Sequence, residues 1–231
     1  MLDLSKIKAI SFDLDDTLWP VWPTIAKAEQ ALLAWLEVNA PEAARLSLDR
    51  ELLLRIRHEV HADHPDRAHA LGWLREEAIR RLLGLAGHDA ALAPMAYEVF
   101  WTARQAVDFY EDSLPALAHL SARWPLVALS NGNADIHRVG IGHCFAARIW
   151  AQEAGVSKPD VRIFQQAADA LALPMAAILH VGDDAHHDVI GALDAGMQAV
   201  WVNRSGGDWP VPERRPHVEV RDLAELCRLW P

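Results

Sequence analysis

Cysteine, tyrosine and positive charge are scarce in this sequence, and long apolar runs are missing. The two cysteines, Cys144 and Cys227, form no C-x-x-C pair, so neither a disulfide framework nor a zinc knuckle has support. Lysine and arginine number 22 against 32 aspartates and glutamates, a net charge of −10. Gripping nucleic acid or an anionic membrane needs a basic face, so neither is an expected partner. No apolar stretch approaches the ~20 residues that span a bilayer. The N-terminus enters a strand without the apolar region of a secretory signal, and the expected location is the cytoplasm. What is present is 52% hydrophobic content over 231 residues, enough for a main core and a smaller second module.

The stretch Asp13-Leu14-Asp15-Asp16-Thr17 follows an apolar run, Ile7 to Phe12, that reads as a β-strand. Three carboxylates in four positions repel one another. At ~4 Å and an effective dielectric of about 20, each pair costs on the order of 4 kcal/mol. A hard divalent cation with oxygen ligands, such as Mg²⁺, offsets that cost. Alone, the cluster would be a solvated acidic turn.

Residues 23 to about 108 read as helical throughout, with stripes such as Leu52, Leu53, Ile56 and Val60 or Leu71, Leu74, Ala78, Leu82 and Leu85. Pro23 suits the first position of the opening helix. Beyond residue 110 strands and helices alternate. Strands are expected at Pro125–Leu129, Ala147–Trp150, Ala177–Val181 and Gln198–Val202, with an edge strand at His217–Val220. Helices are expected from Pro115 to Ala122, from Pro159 to Leu171, from after Asp184 to Ala195, and from an Asp222 cap. That alternation predicts an α/β fold: a Rossmann-like parallel sheet over residues 1–18 and 110–231, interrupted by an all-helical domain over 19–109.

Ligands of parallel sheets sit beyond the carboxyl ends of the strands, and the unusual polar residues fall there. They are Asp13 and Asp15, then Ser130-Asn131-Gly132, then Lys158, then Asp183 and Asp188. Each is bland alone: a turn, a surface lysine, a capped helix start. Converging on one rim, they suit phosphate-ester chemistry, where an anionic nucleophile meets an anionic substrate. Asp13 would be the nucleophile and Asp15 the proton donor and later the base. Ser130 and the amides around Asn131 and Gly132 would hold phosphate oxygens, and Lys158 would neutralise charge. Asp183 would complete a metal site that Asp188 supports.

Asp-Leu-Asp-Asp-Thr, Ser-Asn-Gly, Ser-Lys-Pro-Asp and Gly-Asp-Asp-(three residues)-Asp, in that order, resemble the four motifs of the haloacid-dehalogenase-like (HAD) hydrolase superfamily. The helical block is similar to the C1-type cap of subfamily IA. The resemblance implies a Mg²⁺-dependent phosphatase; the expected partner is a small phosphorylated metabolite and the expected assembly a monomer or homodimer. It implies Mg²⁺ held by the Asp13 carboxylate, the Asp15 main-chain carbonyl and Asp183, with Thr17 supporting the aspartate loop. Trp124-Pro-Leu-Val-Ala, Asn131-Gly-Asn-Ala and His180-Val-Gly-Asp-Asp with Gly196-Met-Gln-Ala further resemble bacterial phosphatases acting on flavin mononucleotide or on the ribitylaminouracil phosphate of riboflavin synthesis. Arg75 and Arg104 match cap arginines of that group.

Trp19 and Trp22 flank the acidic loop and are candidates to stack on an aromatic substrate. His58, His61, His64 and His69 lack the spacing of a zinc helix. Rival readings are a dehalogenase, for which an acid at Asp15 is superfluous because halide leaves without a proton, and a phosphomutase, which differs in the cap. A phospho-aspartate receiver should be about half this length, and a non-catalytic binding module would have lost motif positions.

Overall fold

The computed structural model of the chain describes residues 2–230. Six strands form one sheet: β1 Ala9–Phe12, β2 Leu126–Ser130, β3 Ala147–Trp150, β4 Ile178–Gly182, β5 Gln198–Val202 and β6 Val218–Val220. Their order is β3-β2-β1-β4-β5-β6, and every pairing is parallel. The chain builds outward from β1 to one side, then returns to β4 and builds to the other. The crevice between β1 and β4 is therefore the topological switch point, where such sheets bind ligands.

The described residues fall into two compact units, one running to Pro20 and resuming at Asp108, the other Val21–Val107. The second holds α1 Val21–Asn39, α2 Pro41–Ser47, α3 Arg50–Asp63, α4 Leu71–Leu85 and α5 Ala93–Arg104. Leu36, Ile56, Val60, Leu74, Ile79, Leu82 and Leu83 form its core. Pro23 lies inside the first turn of α1 rather than opening it; the first four amides have no helical acceptor, so a residue without N–H fits there. The helix expected to reach residue 108 stops at Arg104.

The sheet unit adds α6 Ser113–Ser121, α7 Ile136–Val139, α8 Ala151–Ala154, α9 Val161–Leu171, α10 Gly191–Asp194 and α11 Leu223–Cys227. Strands β1, β2, β4 and β5 are buried along their whole length, which explains their near-continuous apolar sequences. Ala9, Val127, Leu129 and Ile178 pack on one face against Ile163, Phe164 and Val189. Asp160, not Pro159, caps α9, its side chain accepting from Arg162 N–H. After β4 the chain makes a turn of π-helix, Ala185–Ile190, before α10, where the sequence predicts one continuous helix. Such turns re-aim side chains and recur at functional sites.

Candidate active site

Asp13 directly follows β1, and its N–H continues the ladder by donating to Val181 O at 2.9 Å. The chain then reverses: Asp16 takes a left-handed φ of 58° and donates its N–H to Trp19 O at 2.7 Å. This turn is tied down from two sides. Trp19 Nε1 donates to Asp15 Oδ1 at 2.8 Å. Arg204, from beyond β5, donates to Thr17 O through Nε at 3.1 Å and Nη2 at 2.8 Å, while pairing with Asp112 at 3.0 Å.

Thr17 Oγ1 stands 3.0 Å from Asp183 Oδ1 and 3.3 Å from Asp13 Oδ2, linking the ends of β1 and β4. Trp201 Nε1 fixes the Asp183 carbonyl at 2.7 Å. At the end of β2, Ser130 Oγ accepts from Gly132 N–H at 3.0 Å. A Cβ on Gly132 would lie 2.4 Å from Asp15 Oδ2, so only glycine lets the Asp15 carboxylate approach this closely. Asn131 holds the main chain of Lys158 through both ends of its side-chain amide. Lys158 Nζ then donates to Asp13 Oδ1 at 2.5 Å and Asp188 Oδ1 at 2.6 Å.

Oxygens of Asp13, Asp183 and Asp188 all lie within 4.8 Å of one another, the one such metal-suited group of acidic, histidine and cysteine side chains among the described residues. One ammonium does not balance three carboxylates. Burial, then the Asp188 charge, pushes Asp183 up to about 7. Burial also raises Asp13 well above the usual carboxylate range, with Lys158 opposing. Burial would raise Asp188 too, but Lys158 and a hydrogen bond from His180 hold it well below its ordinary value. Burial opposes the charge on Lys158, yet Asp13 and Asp188 outweigh it and raise its pKa. A cluster with surplus negative charge and hard oxygen donors fits Mg²⁺.

Asp13, Asp15, Thr17, Ser130, Asn131, Gly132, Lys158, Asp183 and Asp188 thus gather in the sheet unit. Arg75, Arg104 and Trp22 belong to the helical unit. Arg75 pairs with Glu29 at 3.5 Å and lies 4.0 Å over the Phe100 ring. Burial, then the charge of Arg57, lowers its pKa to about 10. It lines a cavity of about 360 Å³ with Glu29, Arg57, Leu33 and Ile79. Arg104 is 1% exposed and Trp22 75% exposed. Trp19 is fully buried and packs edge-on to Phe109 at 5.5 Å. It therefore cannot stack on a substrate, and its indole N–H serves Asp15 instead. His58 and His61 are exposed, and His64 packs on Trp73.

Sequence reading missed Arg204, Trp201 and His180. His180 alone carried a signal, as a polar residue inside an apolar buried strand.

Fold and site together define an α/β hydrolase whose polar groups meet at the carboxyl ends of a parallel sheet. Residues 7–196 match the family model described as haloacid dehalogenase-like hydrolase, and the chain belongs to that family. It is 35% identical over 234 residues to the 5-amino-6-(5-phospho-D-ribitylamino)uracil phosphatase YigB of Escherichia coli K12, covering 98% of this chain and 97% of that one. A crystal structure described as a 2-haloacid dehalogenase from Pseudomonas syringae pv. Tomato DC3000 matches with a TM-score of 0.90 and 35% identity, over 96% of this chain and 97% of that one. The (S)-2-haloacid dehalogenase H-109 of Pseudomonas putida is 27% identical over 232 residues, 96% of this chain and 97% of its own.

Proposed function

We propose that the chain is a Mg²⁺-dependent phosphatase of small-molecule phosphate monoesters, working through an aspartyl-phosphate on Asp13. The observation that carries this reading is the Asp15 carboxylate, held by Trp19 Nε1 and set against Gly132 two residues from the Asp13 nucleophile. An alkoxide leaving group needs a proton and a halide does not, so an acid anchored there serves ester cleavage.

An Asp13 oxygen attacks phosphorus as the bond to the leaving oxygen breaks, and Asp15 gives that oxygen its proton. Asp15 then takes a proton from a water that attacks phosphorus. The bond from phosphorus to Asp13 breaks, releasing inorganic phosphate. Lys158, 2.5 Å from Asp13, offsets the charge that gathers on the phosphoryl oxygens, and Ser130 with the Asn131 and Gly132 amides receives them. Mg²⁺, held by the Asp13 carboxylate, the Asp15 carbonyl and Asp183 with Asp188 in support, would supply the charge that offsets repulsion between nucleophile and substrate. Selection of the substrate is assigned to Val21–Val107, with Arg75 and the exposed Trp22 as its candidate contacts.

The likeness to YigB supports 5-amino-6-(5-phosphoribitylamino)uracil, with flavin mononucleotide as the related alternative. The likeness to a structure described as a dehalogenase supports a second reading, halide release from 2-haloacids. Both are tested by incubating the protein and its Asp13→Asn variant with Mg²⁺ and either a panel of phosphate esters or 2-chloropropionate. Phosphate released by the parent alone supports the first reading; chloride without phosphate overturns it.

A further inference from the structure

Two polar residues sit at interior positions of the buried strands β1 and β4. Ser11 in β1 and His180 in β4 are both fully buried. Alternation along a strand puts Ser11 on the same face as Asp13 two residues on. The register pairs Ser11 directly with His180, which brings Ser11 Oγ to 2.7 Å from His180 Nδ1. On the far side of the ring, Nε2 is 3.2 Å from Asp188 Oδ1. That same oxygen accepts from Lys158 Nζ at 2.6 Å, and Lys158 reaches Asp13 at 2.5 Å. Phe164 closes over the imidazole edge-on at 5.2 Å.

The protons in this line are determined by what each group can offer. Asp188 already accepts from the Lys158 ammonium at 2.6 Å and from Asp184 N–H at 3.0 Å, so it faces His180 as an acceptor and Nε2 bears the hydrogen. With that hydrogen on Nε2, Nδ1 presents its lone pair to Ser11 Oγ at 2.7 Å. Ser11 therefore donates to Nδ1. Asp188 accepts from three protein donors: His180, Lys158 and, at Oδ2, the Asp184 N–H at 3.0 Å. A Cβ on Gly182 would fall 2.3 Å from the Asp188 carboxyl carbon, so this placement also requires glycine at the end of β4.

We propose that His180, its ring held at Nδ1 by Ser11, is a positioning residue that turns Asp188 toward Lys158 and so keeps Lys158 on Asp13. The inference rests on Asp13 being the nucleophile. Without the Nε2 donor, Asp188 Oδ1 loses one of its two partners, turns toward Asp13 and Asp183, and draws Lys158 away from the phosphoryl position. Binding of substrate through its remaining parts is untouched, so the loss falls on kcat and not KM.

The first test needs no variant and no substrate. Long-range ¹⁵N–¹H spectra of the intact protein should show a hydrogen on His180 Nε2; a neutral Nδ1–H tautomer, which leaves Nε2 without one, overturns the proposal. The second compares His180→Leu with His180→Gln, whose side-chain amide can restore the donor near Nε2. Phosphate release from His180→Leu should fall roughly thirtyfold in kcat with KM within about twofold, and His180→Gln should return to within about fivefold of the parent. Calorimetric Mg²⁺ titration of His180→Leu should show binding at least as tight as in the parent, since Asp188 is released toward the cluster. Equal kcat in all three proteins, or loss of Mg²⁺ binding together with activity, overturns it. A parent that releases no phosphate defeats the phosphatase reading instead, and leaves the tautomer result standing by itself.

Discussion

Asn131 clasps Lys158 by its main chain: Nδ2 donates to Lys158 O at 3.0 Å and Oδ1 accepts from Lys158 N–H at 2.8 Å. The lysine that touches Asp13 is thus held from β2, the neighbouring strand. Replacing Asn131 by Ala frees this loop. The expected outcome is a fall in kcat of roughly ten- to a hundredfold, with the fold kept and a small change in KM. Steady-state kinetics with circular dichroism check it. Asn131→Asp, which lacks the donor to Lys158 O, should fall in the same range.

Gly132→Ala places a methyl where Asp15 Oδ2 now lies, 2.4 Å away. The acid must move, so the variant should lose activity in proportion to how much its substrate needs a proton. Alkyl phosphates should lose about tenfold more activity than p-nitrophenyl phosphate, whose leaving group departs as a stable anion. Equal losses on both would show that Asp15 is not the proton donor.

The pKa of about 7 at Asp183 gives a pH dependence with a definite sign. Unfolded, the carboxyl loses its proton near its ordinary value, while folded it keeps the proton until about pH 7. The metal-free protein therefore loses stability as pH rises from about 4 to 7. A cation must displace that proton, so the apparent Mg²⁺ affinity should weaken about tenfold from pH 8 to pH 6. Mg²⁺ should raise the melting temperature more at pH 8 than at pH 6. Thermal shift at fixed Mg²⁺ concentration reads this directly.

Arg204 ties two distant segments of the sheet unit to its own, bonding the Thr17 carbonyl in one and, in the other, the Asp112 carboxylate and the Tyr110 ring face at 3.8 Å. Asp112 also accepts from Leu223 N–H at 2.6 Å. Removing the guanidinium leaves a half-buried carboxylate without its cation. Arg204→Ala should cost about 2–4 kcal/mol of stability, measured by urea unfolding, and Arg204→Lys should recover less than half, because one ammonium cannot span the fork.

The strand-end groups were legible because Asp13, Ser130 and Asp183 each lie at the end of a strand, with Lys158 in the loop past β3 and α8. Asp13, Ser130, Lys158 and Asp183 could be assigned to one rim once the alternation of strands and helices was read. What holds them in place was not legible. Arg204 reaches Thr17 across 187 positions, and His180 meets Ser11 across 169. Neither spacing has a local signature. Trp19 misled for a related reason: next to an acidic loop it suggests stacking, yet four residues of turn fold its indole back onto Asp15. The π-helical turn at Ala185–Ile190 reads as ordinary helix because 6 residues are too few to show a change of period.

The aspartyl-phosphate on Asp13 is tested most directly with an Asp15→Asn variant, which can still be phosphorylated by p-nitrophenyl phosphate but lacks the base that clears the phosphoryl group. After incubation with Mg²⁺ and acid quench, peptide mass spectrometry should find one phosphoryl group on the peptide containing Asp13. The same peptide from Asp13→Asn should carry none. A phosphoryl group on another residue, or none on any peptide while phosphate is still released, would contradict the account.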